Sequence, residues 1–286
     1  MPTLTNQLIR EKNRKSGKIL KKSPIWLYPM AIETKYTSLL LELTNKIKEA
    51  VNNNIIVNLK NLVDEAGLVK NDAFPDEIDR LIDNTRLEVG SNIVNQRSTL
   101  MSLGTNTSNW NLNQWRKVMQ GVVGIQLYQQ EPWLRDQLSG WTKENSALIL
   151  DLQERTYQEV EGIVQRGVSQ GKRHEGIAED ILRETSLPGR PKGPLAKIDN
   201  RAKLIARDQV SKLNARMTQL RQTGVGIEKY IWRTSIDERV RESHKEKEGK
   251  KYSWNKPPVD TGHPGEDYQC RCWAEADFST IFEEAA

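Results

Sequence analysis

The sequence predicts an α+β fold, mainly helical over its N-terminal two-thirds and ending in a small α+β C-terminal domain. Three observations carry this. Apolar residues recur at spacings of three and four through most of 33–187, the period of a helix with one buried face. The run P-G-R-P-K-G-P at 188–194 puts five Gly or Pro into seven residues, which neither a helix nor a central strand propagates. Beyond it, K-Y-I-W-R-T at 229–234 alternates aromatic, apolar and charged side chains as a strand does. The expected organisation is a basic arm over 1–32, a helical domain over 33–187, a hinge at 188–195 and an α+β domain over 196–286.

Taken in order, P-I-W-L-Y-P-M at 24–30 is an apolar knot between prolines, suited to docking rather than to a helix. From Glu33, the residues Tyr36, Leu39, Leu40, Leu43, Ile47, Ala50 and Val51 form one helical face, resumed by Ile55, Leu59, Leu62 and Val63 up to Gly67. After Phe74-Pro75, Ile78, Leu81, Ile82, Thr85, Val89 and Ile93 continue the period to about Leu103. Gly104 to Asn109 reads as a polar turn, and Trp115, Val118, Met119, Val122 and Val123 as a further helix ended by Glu131-Pro132. The clearest helix runs from Trp141 to Gln170 with Thr142 as its cap, followed by a shorter one at about 175–185. Asn200 to Gln222 is again helical, with Ala202, Ile205, Ala206, Val210, Leu213, Met217 and Leu220 on one face. After the 229–234 strand, Ser235 and Glu238 make a capping box for a helix that Gly249 closes. A Pro/Gly loop over 256–265 leads to a last strand from Gln269 to Phe278.

Composition narrows the function classes. At 286 residues and 32.8 kDa the chain is one large domain or two ordinary ones. With mean hydropathy -0.69 it has no stretch near the roughly 18 apolar residues of a spanning helix. Residues 1–22 have positive charge but no apolar core, which does not read as a secretory signal. Two cysteines exclude a disulfide-stapled scaffold and suit a reducing compartment. The first 22 residues hold Arg10, Lys12, Arg14, Lys15, Lys18, Lys21 and Lys22 against Glu11 alone, a local +6. Such an arm is either a solvated terminus or a contact for phosphates or an acidic protein surface. A second basic stretch, 190–233, is balanced by acidic segments at 64–90 and 266–286.

One constellation carries chemistry. His244, His263, Cys270 and Cys272 fall within 29 residues. On a strand Cys270 and Cys272 would project from one face, with Arg271 and Trp273 opposite. His244 follows Ile236 and Val240 at four-residue steps, so its imidazole continues an apolar stripe. Two thiolates and two imidazoles can make a closed tetrahedral zinc site, and Asp267 or Glu266 could replace a ligand. The other reading is a hydrogen-bonded core histidine beside cysteines that act as small buried hydrophobes. Parallel same-face side chains disfavour a disulfide between the two cysteines. Phosphate-loop, nucleophile-elbow, zinc-protease and dinucleotide motifs are all missing. Asp237, Glu238 and His244 could be imagined as nuclease ligands, but the cap at Ser235/Glu238 accounts for part of that set.

The runs N-R-A-K-L-I-A-R-D-Q-V-S-K-L-N (200–214), Y-I-W-R-T-S-I-D-E-R-V-R-E-S-H (230–244) and H-P-G-E-D-Y-Q-C-R-C (263–272), with Gly249 and Pro257-Pro258 between, resemble the phage Mu protein F-like family. W-T-K-E-N-S-A-L-I-L (141–150) and G-V-S-Q-G-K (167–172) extend the resemblance to about 140–278. Its motif residues are Arg207, Asp208, Trp232, Asp237, Arg239, Arg241 and Arg271. The resemblance implies a structural, non-enzymatic minor capsid protein of a tailed bacteriophage, acting in head morphogenesis, DNA packaging and ejection. It also implies a place in the virion at the portal vertex, in the host cytoplasm during assembly, and no membrane. Implied partners are the portal protein, the major capsid or scaffolding protein, and packaged double-stranded DNA bound without sequence preference. The helical domain would dock on portal or capsid. The alternatives are a DNA-binding ejection protein, or a metal-dependent nuclease or toxin-like effector carried in the head.

Overall fold

In the computed structural model, which describes residues 10, 14, 23–63, 74–94, 96–126, 130–183, 193–235 and 240–279, the chain is a mainly helical α+β protein. Helices α1 (Met30–Val51), α2 (Leu59–Leu62), α3 (Phe74–Val94), α4 (Arg97–Val118), α5 (Leu134–Ser169), α6 (His174–Leu182) and α7 (Pro194–Gly224) come first. Strand β1 (Lys229–Arg233), the short helix α8 (Glu242–Lys245), β2 (Lys251–Ser253) and β3 (Trp273–Ala276) follow. Two compact units form, each discontinuous in sequence: residues 34–102 with 139–206, and residues 1–33 with 103–138 and 207–286. The divisions fall inside α1, α4, α5 and α7 rather than at the expected 188–195 hinge. Of that run, 188–192 lie outside the described residues, and Pro194 opens α7, where a missing N–H is harmless.

The unit of 34–102 and 139–206 is built as the helical period requires. Tyr36, Leu40, Leu43, Ile47 and Val51 of α1, Ile78 and Ile82 of α3, and Leu152, Val160 and Val164 of α5 are all buried. The Tyr36 hydroxyl donates to Asn145 Oδ1 at 2.7 Å, so the ring is buried with its polar end satisfied. Thr44 and Lys48 both donate to the Asp199 carboxylate, at 2.8 and 2.7 Å. Where α5 meets α6, Gly167 allows a close approach: a Cβ there would lie 2.5 Å from Ile177 Cγ1.

Three helical expectations need correction. Gly104–Asn109 is the middle of α4 and not a turn. Two of its polar residues are buried: the Thr107 hydroxyl donates to Leu103 O at 2.9 Å, and Ser108 accepts from Arg221. Helix α5 starts at Leu134, just past Pro132, so Thr142 is not a cap but a buried residue inside the helix. The expected 235–249 helix is represented by α8 alone among the described residues; Glu238, half of the capping box, lies outside them.

In the other unit, Trp26 of the proline-flanked knot is buried with Trp115, Val118, Met119, Val225, Ile227 and Phe278. The knot thus docks within its own chain, while Ile25 and Leu27 beside it stay exposed. Arg221, fully buried, donates all five of its N–H groups: to both Glu131 carboxylate oxygens, to Ser108 O and Oγ, and to Asn111 Oδ1. The sheet is antiparallel in the order β2-β1-β3, with Tyr230 opposite Tyr252 and Ala276, and Trp232 opposite Ala274. Trp273 of β3 stacks on Trp26 with ring centroids 6.5 Å apart; on the other sheet face Tyr230, Trp232 and Ala274 pack with Trp254, Cys270 and Cys272. Strand β3 is shorter than the expected 269–278, and Gln269, where it was expected to begin, has φ 55 in the left-handed region.

Candidate metal centre

The segment 265–272 is held in place from several sides, which fixes where its cysteines point. Asp208 of α7 accepts from the Gln269 backbone N–H at 3.0 Å, pinning the left-handed turn, and one turn later the Ser211 hydroxyl donates to Cys270 O. Arg241, just ahead of α8, donates to Asp267 Oδ2 at 2.6 Å and to Tyr268 O at 2.7 Å. Arg271 clamps Glu33 through both carboxylate oxygens and lies 5.0 Å from the Tyr28 ring centroid. Gly265 has φ 90, and a Cβ there would meet Ala215 Cβ at 2.7 Å. Asp208, Arg241 and Arg271 are therefore loop-fixing residues. Of the other motif positions, Arg207 accepts the Tyr28 hydroxyl at its carbonyl, while Asp237 and Arg239 lie outside the described residues.

Within this frame His244, Cys270 and Cys272 come together, all buried, their donor atoms within 4.8 Å of one another. His244 Nδ1 is 3.4 Å from both Sγ atoms, and its Nε2 is 3.0 Å from Asp267 Oδ2. The Trp232 indole packs edge-on against the imidazole, with ring centroids 5.5 Å apart. The two thiols share a side although the C-R-C segment precedes β3, while Trp273 packs with the opposite cluster. Both cysteines are free.

His263, expected as a fourth ligand, is not in this group. Its Nδ1 is 2.9 Å from the Tyr230 hydroxyl and its ring packs 4.8 Å from that of Trp254. Glu266, the other candidate replacement, accepts from the His263 backbone N–H at 2.6 Å. Nothing in the sequence pattern tied Tyr230 to His263 or Ser211 to Cys270, because those pairs are 33 and 59 residues apart.

The electrostatics favour a thiolate. Hydrogen bonding from Cys272, against the effect of burial, with further donation from His244 and the backbone N–H groups of Cys272 and Gly265, lowers the Cys270 thiol to about 5. Its neighbour is pushed the other way: the same Cys270 contact and burial raise Cys272. The hydrogen bond with Cys270 raises His244, burial opposes this, and Asp267 adds to it. One thiolate is thus already stabilised, and a bound cation would remove the proton from the second. The three residues could hold a metal ion. The N···S separations of 3.4 Å fit the edge of a tetrahedron with ordinary zinc bond lengths, about 3.5 Å.

A polar cavity of about 160 Å³ adjoins the cluster, lined by His244, Cys270 and Cys272 together with Arg207, Arg241 and Gln269 among others. Of the basic arm, Arg10 and Arg14 are helical, and Lys12, Lys15, Lys18, Lys21 and Lys22 lie outside the described residues. Among the described residues no helix is long and apolar enough to cross a membrane.

Comparison with known proteins agrees with the motif pattern. A protein of Haemophilus influenzae, described as uncharacterized, is 39% identical over 143 residues, which is 49% of this chain and 29% of that protein. The matched region thus spans under a third of that relative. No solved structure matches. Residues 158–275, which include α6, α7, β1, β2 and the whole His/Cys cluster, match the family described as phage Mu protein F like protein.

Proposed function

We infer that the chain is a structural minor head protein of a tailed bacteriophage, acting in head morphogenesis, associated with the portal, and carrying a structural zinc ion in its C-terminal region. The observation that supports this reading is the family match over 158–275, which contains the loop-fixing residues and the buried His/Cys cluster. Those residues serve architecture: Asp208, Arg241 and Arg271 bind backbone or partner carboxylates. Zinc suits the donor set of two thiolates and an imidazole. Its role there is to fasten a loop that no regular hydrogen-bonded ladder holds.

The test is co-expression with the portal protein of the same phage. Co-purification at fixed stoichiometry is expected; a chain that remains alone in stoichiometric mixing would remove the portal assignment. Elemental analysis of the purified protein should give one equivalent of zinc, absent from Cys270→Ser and His244→Ala.

A second reading, contact with packaged DNA, has its own support. A cavity of about 670 Å³ in the unit of 34–102 and 139–206 is lined by Arg155, Arg166, Lys172, Arg183 and Lys197, against Glu159 and Asp180. Binding there would weaken steeply with salt through loss of counterion release. Deleting residues 1–22 and, separately, replacing Arg166 and Lys197 with Ala should each reduce the salt slope if both regions meet phosphates. An unchanged slope in both variants would exclude the contact.

A further inference from the structure

The proposed metal reading leaves the coordination number and the ligand atom of His244 open, and the geometry decides both. We propose that the centre uses three residues, with Asp267 as the positioning residue that commits His244 Nδ1 to the metal, and that its fourth position takes an exchangeable water or small anion from the adjoining cavity. This rests on the zinc reading above and goes beyond it in saying which atoms bind and what completes the shell.

The argument starts from the imidazole. A neutral histidine carries one N–H, and the nitrogen without it is the ligand atom. Nε2 is 3.0 Å from Asp267 Oδ2, a carboxylate that accepts and does not donate, so the proton sits on Nε2. Asp267 is itself held in place by Arg241 at 2.6 Å, which also donates to Tyr268 O. Nδ1, whose proton a bound cation would displace, faces both thiols at equal distances of 3.4 Å. A carboxylate on the far nitrogen of a ligating histidine is the usual outer partner in metal sites, where it orients the ring and raises its basicity. Cys270 Sγ receives N–H donors from Gly265 and Cys272, both at 3.4 Å, which stabilise a thiolate without occupying the metal's side.

The fourth position has no donor among the described residues. His263 is committed to Tyr230 and Trp254, and Asp267 lies on the wrong nitrogen of the ring to bind the same ion. The space beside the three donors is the cavity of about 160 Å³, room for several waters at about 30 Å³ each. The described residues lining it include three arginines, Arg207, Arg241 and Arg271, and no Asp or Glu. A donor that enters from solvent would thus be water or a small monovalent anion.

The experiment uses the full chain loaded with zinc and, in parallel, with cobalt(II), whose visible spectrum reports its coordination shell. One equivalent of metal in the wild type is the precondition; no metal there would overturn the zinc reading itself. Given binding, His263→Ala should retain one equivalent, and azide should shift the cobalt spectrum in a saturable way. Proton–nitrogen correlation NMR of the zinc form should show His244 protonated at Nε2. Asp267→Asn should lower metal affinity tenfold or more with the fold retained, as judged by circular dichroism. Loss of metal in His263→Ala, a cobalt spectrum indifferent to azide, or zinc on Nε2 would each overturn the three-residue centre while leaving a structural zinc in place.

Discussion

At the residue scale, the largest single dependence is on Arg221. Its guanidinium and the Glu131 carboxylate are 1% and 9% exposed, and removing one partner strands the other without water. Arg221→Met and Glu131→Gln should each lower unfolding free energy by about 3 kcal/mol, read from denaturant midpoints at constant slope. Arg221→Lys should fare little better, because an ammonium cannot serve five acceptors in one plane. Asp199 gives a pH-dependent counterpart. Burial would raise its pKa, but hydrogen bonds from Lys48 and Thr44 outweigh that and lower it. A carboxyl whose folded pKa lies below its unfolded one stabilises the fold above the unfolded value and loses that stabilisation as pH falls through the folded value. Asp199→Asn should therefore cost about 0.5–1 kcal/mol at neutral pH, the pair being about one-third exposed, with the difference vanishing once pH has fallen below the lowered folded pKa.

At the element scale, helix contacts set by small residues can be tested directly. Gly167→Ala pushes a methyl into Ile177, so α5 and α6 must separate or Ile177 must move; a cost of about 1–3 kcal/mol is expected. Combined with Ile177→Ala, the loss should be clearly less than the sum of the two single losses. Elements with regular apolar faces were legible in the sequence: α1, most of α5, α7 and β1 lie where the period of their buried residues puts them. Gly104–Asn109 was misread because a turn and a helix face buried against polar groups have the same composition. The start of α5 was missed for a related reason, since Thr142 has the chemistry of a cap but is buried within the helix. In the site, His244 meets the two cysteines although the expected elements do not carry them: Val240 lies outside α8 and the C-R-C segment precedes β3. The place of His263 was not legible, because its environment is set by Gly262 and Gly265, both at positive φ, and by a tyrosine 33 residues earlier.

At the scale of the whole molecule, a bound metal would be linked to the fold. Anything that binds the folded form alone stabilises it by mass action. Stripping the ion with a chelator should lower the thermal midpoint and zinc should restore it, whereas Cys270→Ser should begin at the lower midpoint and ignore both reagents. A midpoint in the wild type that neither reagent moves would mean that the cluster packs as ordinary core.

The unit that carries the cluster is assembled from three stretches, 1–33, 103–138 and 207–286, and its core joins Trp26 to Phe278. Arg271 and Glu33, 238 residues apart, close it from another side. Residues 34–102 and 139–206 complete the other unit before residues 207–286 are available. During synthesis the early segment 23–33 must therefore wait for Trp273 and Arg271, against which Trp26 and Tyr28 pack, before its shelter is complete. Nascent chains that stall short of β3 should accordingly be the ones that chaperones capture and proteases cut near residue 26.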